Sequence, residues 1–144
     1  DDANAIFWYG YISDILGPMD NETHQQHNLR ALSLDSTHPY AHLSAASYYK
    51  SVSQLSEAIY HLQRCLEIQP YNHRALRQLA EHYIDLSMAE EARDTLRLIL
   101  EQDPPTETRY GAINTYINDV FISNHPLHVQ YGRSWAREQL ARLG

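Results

Sequence analysis

Residues 39–72 read PYAHLSAASYYKSVSQLSEAIYHLQRCLEIQPYN, and residues 73–106 read HRALRQLAEHYIDLSMAEEARDTLRLILEQDPPT. Laid over one another at a shift of 34, they agree at ten positions. The identities are Ala41/Ala75, Ala46/Ala80, Tyr49/Tyr83, Ser53/Ser87, Glu57/Glu91, Ala58/Ala92, Leu62/Leu96, Leu66/Leu100, Glu67/Glu101 and Pro70/Pro104. Chance overlap at ordinary composition gives roughly two. The matches also fall at helical spacings, so what repeats is a structural unit.

Each unit reads as two helices joined by a short turn. In the second, Leu76, Leu79, Ala80, Tyr83 and Leu86 form an i, i+3, i+4, i+7 stripe, which predicts a helix over 73–86. Ser87-Met88 is the turn. Ala92, Leu96, Ile99 and Leu100 mark one face of a helix over 89–102. Asp103-Pro104-Pro105 ends it, because proline lacks an amide donor and disfavours helix in the residue before it. The first unit predicts a helix over 39–50, a turn near 51–53, a second helix over 55–68 and a stop at Pro70. Ala46 and Ala80 come late in the first helix, and Ala58 and Ala92 early in the second. Small side chains there let two antiparallel helices approach closely. Leu62 and Leu96, with Cys65 and Ile99, fill the wider end, and Tyr49 and Tyr83 pack on the helix that follows.

The same spacing carried outward gives weaker units. Residues 5–38 hold Trp8, a Gly17-Pro18 turn and a closing Ala31-Leu32-Ser33-Leu34-Asp35, but Ile12, His24 and Ser36 replace the small residue, the alanine and the proline. Residues 107–144 depart further, with Asn114 in the small-residue place. Thr106 is placed to cap a helix over 107–121, and Asn124 to cap another over 126–142 with Pro126 in its first turn.

The two central units resemble tetratricopeptide repeats. Ala46, Tyr49, Ala58 and Pro70 match that pattern in the first, and Leu79, Ala80, Tyr83, Ala92 and Pro104 in the second. The resemblance implies an all-α fold, a right-handed α–α superhelix of helix–turn–helix units. It implies one domain over 1–144: repeats at 5–38, 39–72 and 73–106, then a terminal helical pair at 107–144 that seals the stack.

Composition narrows the function. The chain has 144 residues, 43% of them hydrophobic, and a net charge of −7. That balance argues against a nucleic-acid partner. Six acids and one Arg lie in residues 1–38, so the acidity is concentrated there. No apolar run reaches the ~18 residues needed to span a bilayer, so a soluble segment is expected, cytoplasmic before periplasmic. The chain starts at Asp1-Asp2 without a Met or a basic signal-peptide start, and is read as a piece of a larger protein. Tyr is abundant, 11 against 2 Phe, and tyrosine serves interfaces well.

No catalytic motif is present. Five scattered glycines make no phosphate-cradling loop. The single Cys65 falls on a buried helix face and reads as a small core residue. Nine histidines include three close pairs, His24/His27, His38/His42 and His125/His128. None has an obvious third ligand beside it, so they read as packing or surface groups, as do the isolated His61, His73 and His82. No metal, cofactor or catalytic residue is expected, and the chain is read as not an enzyme.

The resemblance also implies a mechanism: first helices line a concave groove that holds a peptide or helix. By register, the groove positions are Ile6, Tyr9 and Ser13, then Tyr40, Leu43, Ser47 and Lys50, then Arg74, Arg77, Gln78, Glu81 and Asp85, and finally Thr108, Gly111 and Thr115. Chaperone-binding members clamp a C-terminal carboxylate with a Lys/Asn/Lys/Arg set. Tyr9, Ser13, Ser44, Arg74 and Gln78 stand there instead, and only Arg74 keeps the charge, so no such clamp is expected. The expected partner is another protein or another segment of the full-length chain. The rivals are homo-oligomerisation through Phe7, Trp8 and Trp135, and an accessory domain of a larger enzyme or of membrane-associated polysaccharide or secretion machinery.

Overall fold

The computed structural model describes residues 6–7, 21–104 and 124–144. Among them are six helices: α1 (Asn21–Leu34), α2 (Pro39–Ser51), α3 (Leu55–Ile68), α4 (His73–Asp85), α5 (Ala89–Glu101) and α6 (Pro126–Leu143). The fold is all-α, as the repeat predicts. Trp8, the Gly17-Pro18 turn and the helix expected over 107–121 lie outside the described residues. Among those described, no helix is long and apolar enough to cross a membrane. By compactness the chain divides into two units, Asp1–Ile68 and Gln69–Gly144.

In the first unit, α2 packs between α1 and α3. Ala46 of α2 and Ala58 of α3 are fully buried, with Leu62 and Cys65 beyond them. Burial pushes the Cys65 thiol up to about 12, so it stays protonated and inert. In the second unit, α4 packs on α5, and α6 lies against both. Its core holds Leu76, Ala80, Ala92, Leu96, Ile99 and, from α6, Ala136. Ala92 has no exposed surface, so a larger side chain has nowhere to go. Ala92→Leu is expected to cost ~1–3 kcal/mol through overpacking. Urea denaturation checks this, and an unchanged midpoint would place Ala92 away from the helix crossing.

The turn between paired helices is the same in both units. Gln54 N–H bonds Tyr49 O at 2.8 Å and Ser53 N–H bonds Lys50 O at 3.0 Å. One repeat on, Met88 N–H bonds Tyr83 O at 2.8 Å and Ser87 N–H bonds Ile84 O at 3.0 Å. Ser53 and Ser87 sit at φ 60° and 58°. This pair of bonds around a left-handed residue is a Schellman motif, which satisfies carbonyls that the helix end leaves open.

Helix starts are also repeated, with different chemistry. His38 Nδ1 accepts Ala41 N–H at 3.0 Å, and Asn72 Oδ1 accepts Ala75 N–H at 3.0 Å. The two caps stand 34 residues apart on unlike residues. At α6 the cap is His125, whose Nδ1 accepts Leu127 N–H at 3.1 Å, and not Asn124 as the sequence suggested. Pro126 at the first helical position makes its immediate neighbour the cap, and His125 takes the extended backbone a pre-proline residue prefers. Asn124 instead accepts His73 N–H at 3.1 Å, tying the approach to α6 onto the start of α4.

The C-terminal end of α5 is held from two sides. His73 Nε2–H donates to Gln102 O at 2.6 Å. Arg133 donates to Ile99 O at 3.2 Å, to Gln102 O at 2.9 Å and to Asp103 Oδ1 at 2.7 Å. Carbonyls left open at a helix end thus find cationic donors from α6.

Candidate protein-interaction surface

The expected groove residues fall in both units, and each unit is described by itself. Tyr9, Ser13, Thr108, Gly111 and Thr115 lie outside the described residues. In the first unit Tyr40 and Leu43 are buried, not presented, and the Tyr40 ring stands edge-on to His38. Phe7 is buried as well, its ring 5.0 Å from that of His38. Ser47 and Lys50 are exposed, and Ser47 Oγ–H donates to Leu43 O at 3.3 Å. Of the residues predicted on α2, therefore, Ser47 and Lys50 are accessible, and Tyr40 and Leu43 support the helix from beneath.

Two helix faces of the first unit also meet through histidines. His42 of α2 and His61 of α3 approach Nδ1 to Nδ1 at 2.9 Å. His42 Nε2 lies 2.8 Å from Ser36 O. A carbonyl can only accept, so the proton sits on His42 Nε2 and His42 Nδ1 receives a hydrogen bond from His61 Nδ1–H. Tyr49 stacks on His61 at 9° with ring centroids 5.4 Å apart. Desolvation, then the neighbouring His42, lowers His61 to about 4, and desolvation likewise lowers His42. His61 looked isolated in sequence. It is part of a buried neutral pair, and it serves packing.

In the second unit Arg74, Arg77, Gln78 and Glu81 are half-buried along α4, and Asp85 is exposed. Arg77 Nε bonds Glu81 Oε1 at 3.2 Å. Its guanidinium also lies 4.7 Å above the Trp135 ring of α6, a cation–π contact. Arg74 makes no ion pair with a described residue. His128 of α6 stands close enough to feel Arg77, Arg74, His73 and His125; burial first, then these charges, hold its pKa below the usual histidine value. Sequence reading placed the arginines but missed their neighbours on α6. The available signal was the spacing Leu127, Tyr131, Trp135, which with His128 covers roughly 100° of a helix surface. Leu127 and Tyr131 are 53% and 64% exposed.

Three more histidines make local contacts: His27 Nδ1 bonds Thr23 O at 3.0 Å, and His38 and His125 cap helices. His82 is buried. Among the described residues, no group of three or more His, Cys, Asp or Glu is arranged to hold a metal ion.

Comparison with known proteins agrees with this architecture. The tetratricopeptide repeat family model matches residues 51–113. No curated protein matches the sequence. Among the solved structures that match is the tetratricopeptide repeat domain of Sgt2 from Aspergillus fumigatus, at a TM-score of 0.60 and 14% identity, covering 99% of this chain and 82% of that one. At that identity the likeness speaks for the fold alone. The matched stretch holds the Schellman turns, the Ala58 and Ala92 crossings and the α4 start described above. Residues 51–113 thus match the tetratricopeptide repeat family, and the likeness to a solved tetratricopeptide repeat domain adds the fold.

Proposed function

We propose that the chain is a non-catalytic interaction module whose first helices offer a binding face to a peptide or helix of another protein, or to a distant segment of its own full-length chain. Repeats of this family are in general protein-interaction modules. We read the binding units as repeats at 5–38, 39–72 and 73–106 with a terminal pair at 107–144. The observation that carries the proposal is on α4: the Arg77 guanidinium lies over Trp135 while Arg74 has no ion-pair partner among the described residues. Arginine over an aromatic ring is pre-organised for a planar acceptor and gives up little entropy on binding. Within the first unit, taken by itself, Ser47 and Lys50 are the accessible residues expected on α2.

Selection from a random displayed peptide library tests this. Binders are expected at micromolar affinity, weakened at least tenfold by Arg77→Glu and unaffected by Glu138→Lys on the exposed side of α6. Failure to select any binder, or equal loss from both substitutions, would refute the reading. A second reading, self-association, is favoured by the exposed Leu127 and Tyr131. Light scattering separates the two: a dimer dispersed by Tyr131→Asp would support self-association.

A further inference from the structure

We infer that an internal water binds at the start of α4, donating a hydrogen bond to His73 Nδ1 and accepting one from Asn124 Nδ2–H. Both residues are buried. His73 Nε2–H donates to Gln102 O at 2.6 Å. Burial lowers the His73 pKa and keeps the ring neutral, so Nδ1 carries a lone pair and can only accept. Asn124 Oδ1 accepts His73 N–H at 3.1 Å, which fixes the amide orientation and leaves Nδ2 as a donor. Neither His73 Nδ1 nor Asn124 Nδ2 meets a hydrogen-bond partner among the described residues, and both are shut off from bulk solvent. An orphan acceptor and an orphan donor thus flank one 3.1 Å contact. A buried polar atom without a partner loses its hydration and gains nothing in return.

The chemistry of the two atoms selects the occupant. A carboxylate or phosphate would accept from Asn124 but meet the lone pair of His73. A metal ion or ammonium would suit His73 but meet the N–H of Asn124. Arg133 and Asp103, the charges felt at His73, are opposite in sign and bonded to each other, so they favour neither ion. A hydroxyl group gives one hydrogen bond and takes one, as this pair requires. In a spot closed to solvent that hydroxyl is water, which inside proteins makes roughly two to four such bonds.

Three pieces of Gln69–Gly144 meet there. His73 opens α4, Gln102 follows α5 and Asn124 leads into α6. The water therefore secures the approach to the helix whose Trp135 lies under Arg77. It supports the candidate surface from within and takes no part in contacting a partner.

The test is a crystal structure of the 144-residue chain, joined with nuclear magnetic resonance of the same chain, isotope-labelled. The density should show one water within hydrogen-bond distance of both His73 Nδ1 and Asn124 Nδ2. In solution, a long-lived water should give the Asn124 side-chain N–H protons a nuclear Overhauser cross-peak of the sign that marks a bound molecule. Proton–nitrogen correlation spectra should show His73 in its Nε2–H form. Asn124→Leu should abolish the water density while the signals of α2 and α3 stay in place. Should that variant fail to fold, the unaltered chain still decides. Density with His73 Nδ1 bonded directly to a protein group, an ion in place of water, an Nδ1–H form of His73, or no cross-peak would overturn the inference.

Discussion

Leu96→Ala should lower the unfolding free energy by ~2–5 kcal/mol, among the largest losses a single side-chain truncation can give. Leu96 is fully buried, and so is Leu62, its counterpart one repeat earlier. Each lies one helical turn beyond a fully buried alanine, Ala92 before Leu96 and Ala58 before Leu62. Truncation removes the transfer energy of the lost methyl groups and leaves a cavity that neighbouring helices close only in part. Leu62→Ala should cost a similar amount, because the position is the same in kind. Leu98→Ala is the contrast. That residue is 39% exposed on the same helix, and its loss should stay within about 0.5 kcal/mol. Urea denaturation followed by circular dichroism checks all three. Comparable losses at Leu96 and Leu98 would mean that α5 is not packed as described.

Acid should be the second large effect. The folded chain holds His42 and His61 as a neutral, buried, mutually bonded pair, and His61 is lowered to about 4. In the unfolded chain both return to an ordinary histidine value near 6.5. Between pH 6.5 and 4 the unfolded state therefore binds more protons than the folded one, and stability rises with pH. The contribution is complete above pH 6.5 and is lost as the pH falls through about 4. Its size is roughly 3 kcal/mol for His61 by linkage. The melting temperature should thus fall steeply on acidification over this window. His61→Phe keeps a flat ring for Tyr49 to stack on and removes the titrating pair, so it should flatten that acid limb. An unchanged acid limb in His61→Phe would assign the pH dependence to other groups.

Much of the fold was legible because the repeat writes it twice. The crossings at Ala46/Ala58 and Ala80/Ala92 depend on side-chain size alone, and size is visible in a sequence. Helix ends at prolines are visible for the same local reason. What stayed hidden depends on partners distant along the chain. His61 looked isolated because its partner, His42, is one helix back. A repeat later the same two positions hold Leu76 and Thr95, so alignment of the units erased the pair and did not reveal it. Asn124 looked like a helix cap, but the His73 N–H it accepts is 51 residues away. The proposed binding face was read from helical register alone. Register put Arg74 and Arg77 at half-buried positions of α4, and it also put the buried Tyr40 and Leu43 on the face, because register cannot tell a half-turn toward solvent from one toward the core. The α6 contribution to the arginine cluster needed the tertiary contact of Arg77 with Trp135.

The turns at Ser53 and Ser87 have a consequence for how such a chain can change. Their closure is carried by main-chain groups and by one residue's backbone angle, so the flanking side chains are free of any duty in it. Val52 and Leu86 are 43% and 44% exposed, and Met88 is exposed too. These corners are places where mutation can accumulate, or a loop be lengthened, while the helix pair on either side keeps its shape. Evolution can therefore rewrite the rim of each unit independently of its interior, and a lineage can acquire new contacts there without first having to refound its fold.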